Sequence, residues 1–168
     1  LAESAAALTA CPLGRAPWVD PIDRALFART GQARPVSPGA SDAQAFVSCG
    51  VPLLGHEARV VDEAGREAGE RREGRLQFRG PSATAGYFEA PDKTAELICG
   101  DWLDSGDLAY VAQGEVFVTG RTKDIVKRAG RNIHPADIED AVAGLAGVEP
   151  RGAVLFSVTD PERGVERL

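Results

Sequence analysis

Two short stretches carry residue types at spacings that could do chemistry. The first is Trp102-Leu103-Asp104-Ser105-Gly106-Asp107-Leu108: an apolar pair, a small-residue turn, and an acid that runs straight into a strand. An ionised Asp107 carboxylate has two acceptor oxygens and can take both hydroxyls of a vicinal diol, as on a ribose. The plainer reading is a turn aspartate bonded to its own backbone. The second stretch is GRTKDIVKRAGR, Gly120 to Arg131, where Arg121, Lys123, Lys127, Arg128 and Arg131 bring five cations into a short run. Guanidinium forks match phosphate oxygens and lysine adds a mobile point charge, so the run is a candidate anion site. Its plainer reading is the solvated face of a strand. Arg71, Arg72, Arg75 and Arg79 form another basic group, but they alternate with apolar residues and read as surface.

Several other chemistries find no support. His56 and His134 lie in different elements with no third ligand at metal spacing. Neither a GxxxxGK[ST] nor a GxGxxG loop is present, so any nucleotide would be held by other means. With 19 Lys plus Arg against 25 Asp plus Glu, the formal charge is −6, and composition gives no general affinity for nucleic acid or anionic membrane. The apolar runs are far shorter than the roughly 20 residues a bilayer-crossing helix needs, so no integral membrane segment is expected, and no leader is apparent. Cys11, Cys49 and Cys99 are too few and too far apart for a disulfide framework; read as reduced thiols, they point to a cytoplasmic setting. The chain opens on Leu1 and has no methionine among its 168 residues, which is the expectation for an internal piece of a longer polypeptide.

The elements that must position these residues are short. Five prolines between residues 10 and 44 read as a long surface excursion with one short helix near Ile22 to Ala28. His56 to Asp62 is extended, and Asp62 to Gly65 is a turn. Gly74 to Gly80 alternates, with Leu76 and Phe78 on one face and Arg75, Gln77 and Arg79 on the other, as in a half-buried strand. Pro91 to Ile98 opens with a first-turn proline and predicts a helix. Leu108 to Val111 and Glu115 to Val118 flank Ala112-Gln113-Gly114 as a hairpin. A helix from Pro135 carries Ile138, Ala141, Val142 and Leu145 at i, i+3, i+4 and i+7, and a last strand is expected at Ala153 to Val158. The change from strand-rich to strand–helix–strand order puts a domain boundary near residues 120 to 124.

Taken together, LAES (1–4), VSCGVPLLGHEARVVDEAGRE (47–67), GRLQFRGPSATAGYF (74–88), WLDSGDL (102–108) and GRTKDIVKRAGRNIHPADIE (120–139) resemble the adenylate-forming ligase superfamily in order and spacing. The IDRALF and VSCG segments and the GRN-x-x-P-A-D-I-E ending look most like fatty acyl-AMP ligases. The resemblance implies a mixed α/β (α+β) fold: residues 1–121 as the β-rich C-terminal part of the large AMP-binding domain, and residues 122–168 as the start of the small α/β lid domain. Glu3 matches the acid that helps hold Mg²⁺ on the phosphates of ATP, with Ala2 where threonine is usual. Asp107 matches the acid that grips the ribose hydroxyls, and Arg121 the arginine that also reaches the ribose. Lys123 matches the hinge about which the lid swings. Gly80, Gly86 and Tyr87 match a structural motif and are assigned no chemistry.

Two departures stand out. Ser105 replaces a commoner threonine, and Lys127 stands where fatty acyl-AMP ligases more often carry an apolar residue, as coenzyme A ligases do not. The implied reaction joins a fatty carboxylate to AMP with release of pyrophosphate, for passage to an acyl carrier protein, with coenzyme A as the alternative acceptor. The terminal lysine and the pyrophosphate-holding loop of the family have no match here, so the 168 residues alone are expected to be inactive. A reading from another class is a catalytically inactive interaction module.

Overall fold

The computed structural model describes residues 1–128, 131–143, 145, 147–149, 152–156, 158–159 and 166–167. A single 3₁₀ turn, Ala2–Ser4, precedes β1 (Thr9–Ala10), β2 (Val19–Asp23), α1 (Arg24–Thr30), β3 (Ala43–Val47), β4 (Val51–Pro52) and β5 (Glu57–Val61). Then come β6 (Gly74–Arg79), α2 (Pro91–Leu97), β7 (Ile98–Cys99), β8 (Trp102–Ala112) and β9 (Glu115–Arg121). The chain continues through β10 (Val126–Arg128), β11 (Arg131–Ile133), α3 (Pro135–Ala143), β12 (Val158–Thr159) and β13 (Glu166–Arg167).

The central sheet is antiparallel, in the order β5-β6-β8-β7, with β9 pairing along the rest of the β8 edge. The strands β8 and β9 bury both faces, so their side chains alternate between two cores. Ala109 and Val116 join Leu8, Val60, Leu76 and Phe78 on one side. Tyr110, Ala112 and Phe117 join Ile22, Phe27 and Ala33 on the other. Tyr110 and Phe117 are partners across the strands, and their rings stack with centroids 4.9 Å apart. Cross-strand aromatic pairs of this kind add to sheet stability beyond the area they bury. Gln113 and Gly114 close the hairpin with φ of 51° and 78°, the two positive values a type I′ turn requires.

The helix in the proline-rich stretch forms over Arg24–Thr30, where Asp23 accepts the Leu26 N–H at 2.8 Å and Gly31, at φ 68°, ends it. The stretch is not the surface excursion its prolines imply. Asp20 and Ile22 of β2 are fully buried: β2 pairs with β3 on one side, Ile22 bridges Pro35 on the other, and the Val36 N–H donates to the Pro21 carbonyl at 2.9 Å. Arg71, read as surface, is half-buried: its guanidinium donates to both carboxylate oxygens of Asp20 at 2.9 and 3.3 Å and to the Ala33 carbonyl at 3.0 Å. Tyr110 donates to Asp20 at 2.7 Å, so one acid ties both aromatic and guanidinium partners to the second core.

Gln77 is also buried, because Arg59 lies over it with two hydrogen bonds of 3.0 and 2.8 Å to Oε1. The middle of the β6 face expected to meet solvent is covered in this way, while Arg75 and Arg79 on either side stay partly exposed. Residues 153–156 are not a strand, and Val154 and Phe156 are exposed; only Val158–Thr159 pairs, with β13. The helix α3 begins at Pro135 as expected and ends at Ala143, short of Leu145. The Pro150 stop signal lies outside the described residues.

Candidate functional site

Asp107 and Arg121 sit opposite each other at the open end of the β8–β9 hairpin. Irregularities on each strand bring them there. Between β6 and β8 the register passes from Arg75↔Leu108 to Gln77↔Asp104, so Ser105, Gly106 and Asp107 bulge from the ladder, with Gly106 at φ 73°. Between β8 and β9 it passes from Leu108↔Gly120 to Ala109↔Val118, leaving Thr119 as the extra residue. Bulges re-aim side chains, and these two point an acid and a guanidinium at one another.

The small-residue cluster divides its labour. Asp104 is the aspartate bonded to its local backbone: it accepts the Gly106 N–H at 2.9 Å and pairs with Arg75 at 2.9 Å. The Ser105 hydroxyl donates to the Leu76 carbonyl at 3.0 Å and accepts the Asp107 N–H at 3.1 Å. That leaves the Asp107 carboxylate free of turn duty, with its Oδ1 3.4 Å from Arg121 Nε. The Asp107 side chain is 16% exposed and that of Arg121 57%, so the pair forms a floor and a movable arm.

Burial pushes the Asp107 carboxyl above its ordinary range, against the pull of Arg121 and Ser105. Glu3 belongs to the same neighbourhood: its negative charge also raises Asp107, and the positive charge of Arg121 helps lower Glu3. The larger cause for Glu3 is Tyr87, whose hydroxyl donates to Glu3 Oε1 at 2.7 Å from 84 positions away in the chain. The Thr84 N–H also donates to the Glu3 carbonyl at 2.8 Å, and the hydroxyls of Ser4 and Ser82 are 3.1 Å apart. The loop after β6 therefore staples the Glu3 turn in place. Tyr87 had no chemistry on sequence grounds, and no local signal marks its pairing with Glu3.

Lys123 stands apart from the pair, exposed in the turn between β9 and β10. That turn is tied back to the bulge, since the Thr122 N–H donates to the Gly106 carbonyl at 2.9 Å. Of the five cations in the basic run, the side chains of Lys127, Arg128 and Arg131 lie outside the described residues.

The Tyr87–Glu3 bond has a testable consequence. A lowered carboxyl pKa stabilises the fold above the ordinary carboxylate range, and that contribution is lost as pH falls through the lowered value. Tyr87→Phe should move the Glu3 titration, followed by carbon-detected NMR, upward toward its ordinary value. Any loss of stability in this variant should be present at neutral pH and shrink in acid. A Glu3 titration indifferent to the substitution would contradict the assignment.

No protein-family model matches the chain. Individual proteins do. A fatty acid–[acyl-carrier-protein] ligase of Streptomyces coeruleorubidus is 38% identical over 128 residues, which are 76% of this chain and 24% of that protein. A long-chain-fatty-acid–CoA ligase of Escherichia coli O157:H7 is 37% identical over 108 residues, 64% of this chain and 19% of that protein. Among solved structures, one from a study of fatty acyl-adenylate ligases of E. coli and L. pneumophila superimposes with a TM-score of 0.78 at 37% identity, covering 88% of this chain and 27% of that one. The chain thus spans about a quarter of the length of the curated relatives it matches. The likenesses in sequence and in fold agree, and the chain belongs to the adenylate-forming ligase superfamily, of whose members it corresponds to one sheet-rich portion.

Proposed function

We propose that the chain is part of an ATP-dependent fatty acyl-AMP ligase that joins a fatty carboxylate to AMP, releases pyrophosphate, and passes the acyl group to an acyl carrier protein. The observation that carries this reading is the convergence of Asp107 and Arg121 at one hairpin end. A partly buried carboxylate accepts both hydroxyls of a ribose, and the exposed guanidinium beside it closes over the same sugar. Both groups act by orientation: they fix the nucleoside so that the acyl oxygen meets the α-phosphate in line, and in-line placement accounts for much of such a reaction's acceleration.

Glu3 suits Mg²⁺ on ATP. The Tyr87 hydroxyl holds Glu3 in its ionised form, and Mg²⁺ on a nucleotide takes one or two carboxylate oxygens beside the phosphates and water. Bound there, the ion would neutralise charge on the phosphate oxygens. Residues 1–121 then form part of the large domain and residues 122–168 the start of the lid, with Lys123 as its pivot. No described helix is long and apolar enough to cross a membrane.

A second acceptor is favoured by one observation, the lysine at position 127, together with the coenzyme A ligases among the relatives. In that reading the same adenylate goes to coenzyme A. Pyrophosphate exchange into ATP by the whole protein, with a panel of fatty acids, tests the adenylation. Adding coenzyme A or a carrier protein tests the acceptor. No exchange with any carboxylate sinks the ligase reading, and the isolated 168 residues should show none in either case.

Lys123→Pro should stiffen the pivot. Exchange should stay within about twofold of the parent while acyl transfer falls about tenfold or more, because only the second step needs the swing. Equal losses in both steps would remove the hinge role.

A further inference from the structure

His134 is a buried titratable group that the chemistry above does not use. It is 5% exposed, and it enters the body from the junction of β11 and α3. Its ring stacks on Phe27 of α1 with centroids 5.9 Å apart and planes 24° apart. On the other side it lies against Gly120 of β9, where an added Cβ would stand 3.1 Å from Nδ1 and 3.6 Å from the Ile125 side chain. The remaining wall is Glu73, with its side chain 5% exposed and Oε1 3.5 Å from Nε2. That carboxylate also takes the Thr119 hydroxyl.

Both ring nitrogens lack a hydrogen-bond partner among the described residues. A permanent core histidine is nearly always satisfied, and a buried polar atom left unpaired weakens the arrangement that buries it. The ring is therefore well shaped to its socket and poorly held in it. Its place in the chain explains why such a contact is useful. The polypeptide beyond Lys123 passes through the β10–β11 hairpin before it reaches His134, and the socket groups named here, Phe27, Glu73, Gly120 and Ile125, all lie at or before residue 125.

We propose that His134 is a positioning residue, a removable plug that seats the segment after the pivot against the sheet body in one of the two arrangements and is withdrawn for the other. The proposal rests on the ligase reading and on Lys123 as pivot. The plug works through the Phe27, Gly120 and Glu73 socket and touches neither nucleotide nor acyl group.

The test uses the whole protein and the variants His134→Ala, His134→Gln and Gly120→Ala. Pyrophosphate exchange and acyl transfer are measured separately, with amide hydrogen exchange across the β10–β11 hairpin as the readout that needs no activity. His134→Ala should change the ratio of the two half-reaction rates about tenfold while leaving the KM for ATP within about twofold. Hairpin exchange should be faster. His134→Gln, whose amide reaches toward Glu73, should restore most of the ratio. Gly120→Ala, which crowds the ring, should shift ratio and exchange in the same direction as His134→Ala.

An unchanged ratio with unchanged hairpin exchange overturns the plug, as does an equal fall in both half-reactions. Should the parent show no pyrophosphate exchange, the ligase reading fails on its own, and the plug is then decided by hydrogen exchange: faster in His134→Ala and Gly120→Ala supports it, unchanged overturns it.

Discussion

Asp107→Ala in the whole protein is expected to lower kcat/KM for adenylate formation by roughly 30- to 1000-fold, about 2–4 kcal/mol of transition-state stabilisation. On the proposed ligase reading the loss would have two sources: the ribose hydroxyls would lose their shared acceptor, and Arg121 would lose the group 3.4 Å from its Nε that orients it. Asp107→Asn separates binding from folding. Because burial raises the Asp107 carboxyl, its ionised form is disfavoured in the folded state. The group contributes stability below the ordinary carboxylate range and forfeits it as pH rises through the raised value. At neutral pH the asparagine variant should therefore unfold at the same temperature as the parent or slightly above it, while nucleotide affinity falls. A variant that keeps parental kcat/KM would remove Asp107 from the site. One that loses stability at neutral pH would show that the carboxylate is there for the fold.

Asp20→Ala should cost about 3–5 kcal/mol, because it leaves the largely covered Arg71 guanidinium with no opposite charge beside it. The melting temperature should fall on the order of 10 °C. Tyr110→Phe removes only one hydroxyl from the same acid and should cost about 1–2 kcal/mol. Urea unfolding of the two variants side by side gives the comparison. If Tyr110→Phe proves the costlier, the charge on Asp20 is not what the core depends on. Burial and the Asp20 carboxylate push the Tyr110 phenol up from its ordinary value, so the difference between the variants should hold across neutral and mildly alkaline pH.

What could be seen in the amino-acid order follows from how local each interaction is. The β8–β9 hairpin was legible because its turn demands two positive φ values and its flanks alternate, and α2 because proline and an acid open it. The pairing of Asp107 with Arg121 was legible through the family resemblance. Locally, either aspartate of WLDSGDL could have been the turn residue, and only the bulge assigns that task to Asp104. Contacts between distant positions were out of reach. Asp20 fell inside the expected surface excursion, and its cation, Arg71, comes 51 positions later. Tyr87 looked structural because Glu3 lies 84 positions away. Ala153 to Phe156 is apolar enough for a strand, yet periodicity says nothing about whether a neighbour exists to complete the ladder.

The single extra residue at Thr119 makes the length of this hairpin a counted quantity. From Asp107 around the tight turn to Arg121, inserting or deleting one residue would rotate one member of the pair to the opposite side of the sheet. The largely exposed tip at residues 37–41, beyond the tied Ala33 and Val36, faces no such rule and can lengthen or shorten at little cost. Natural variants should accordingly vary freely in the length of that outer loop and hold a constant count through the hairpin. An engineer wishing to alter the Asp107–Arg121 pair has substitution available there, but not insertion.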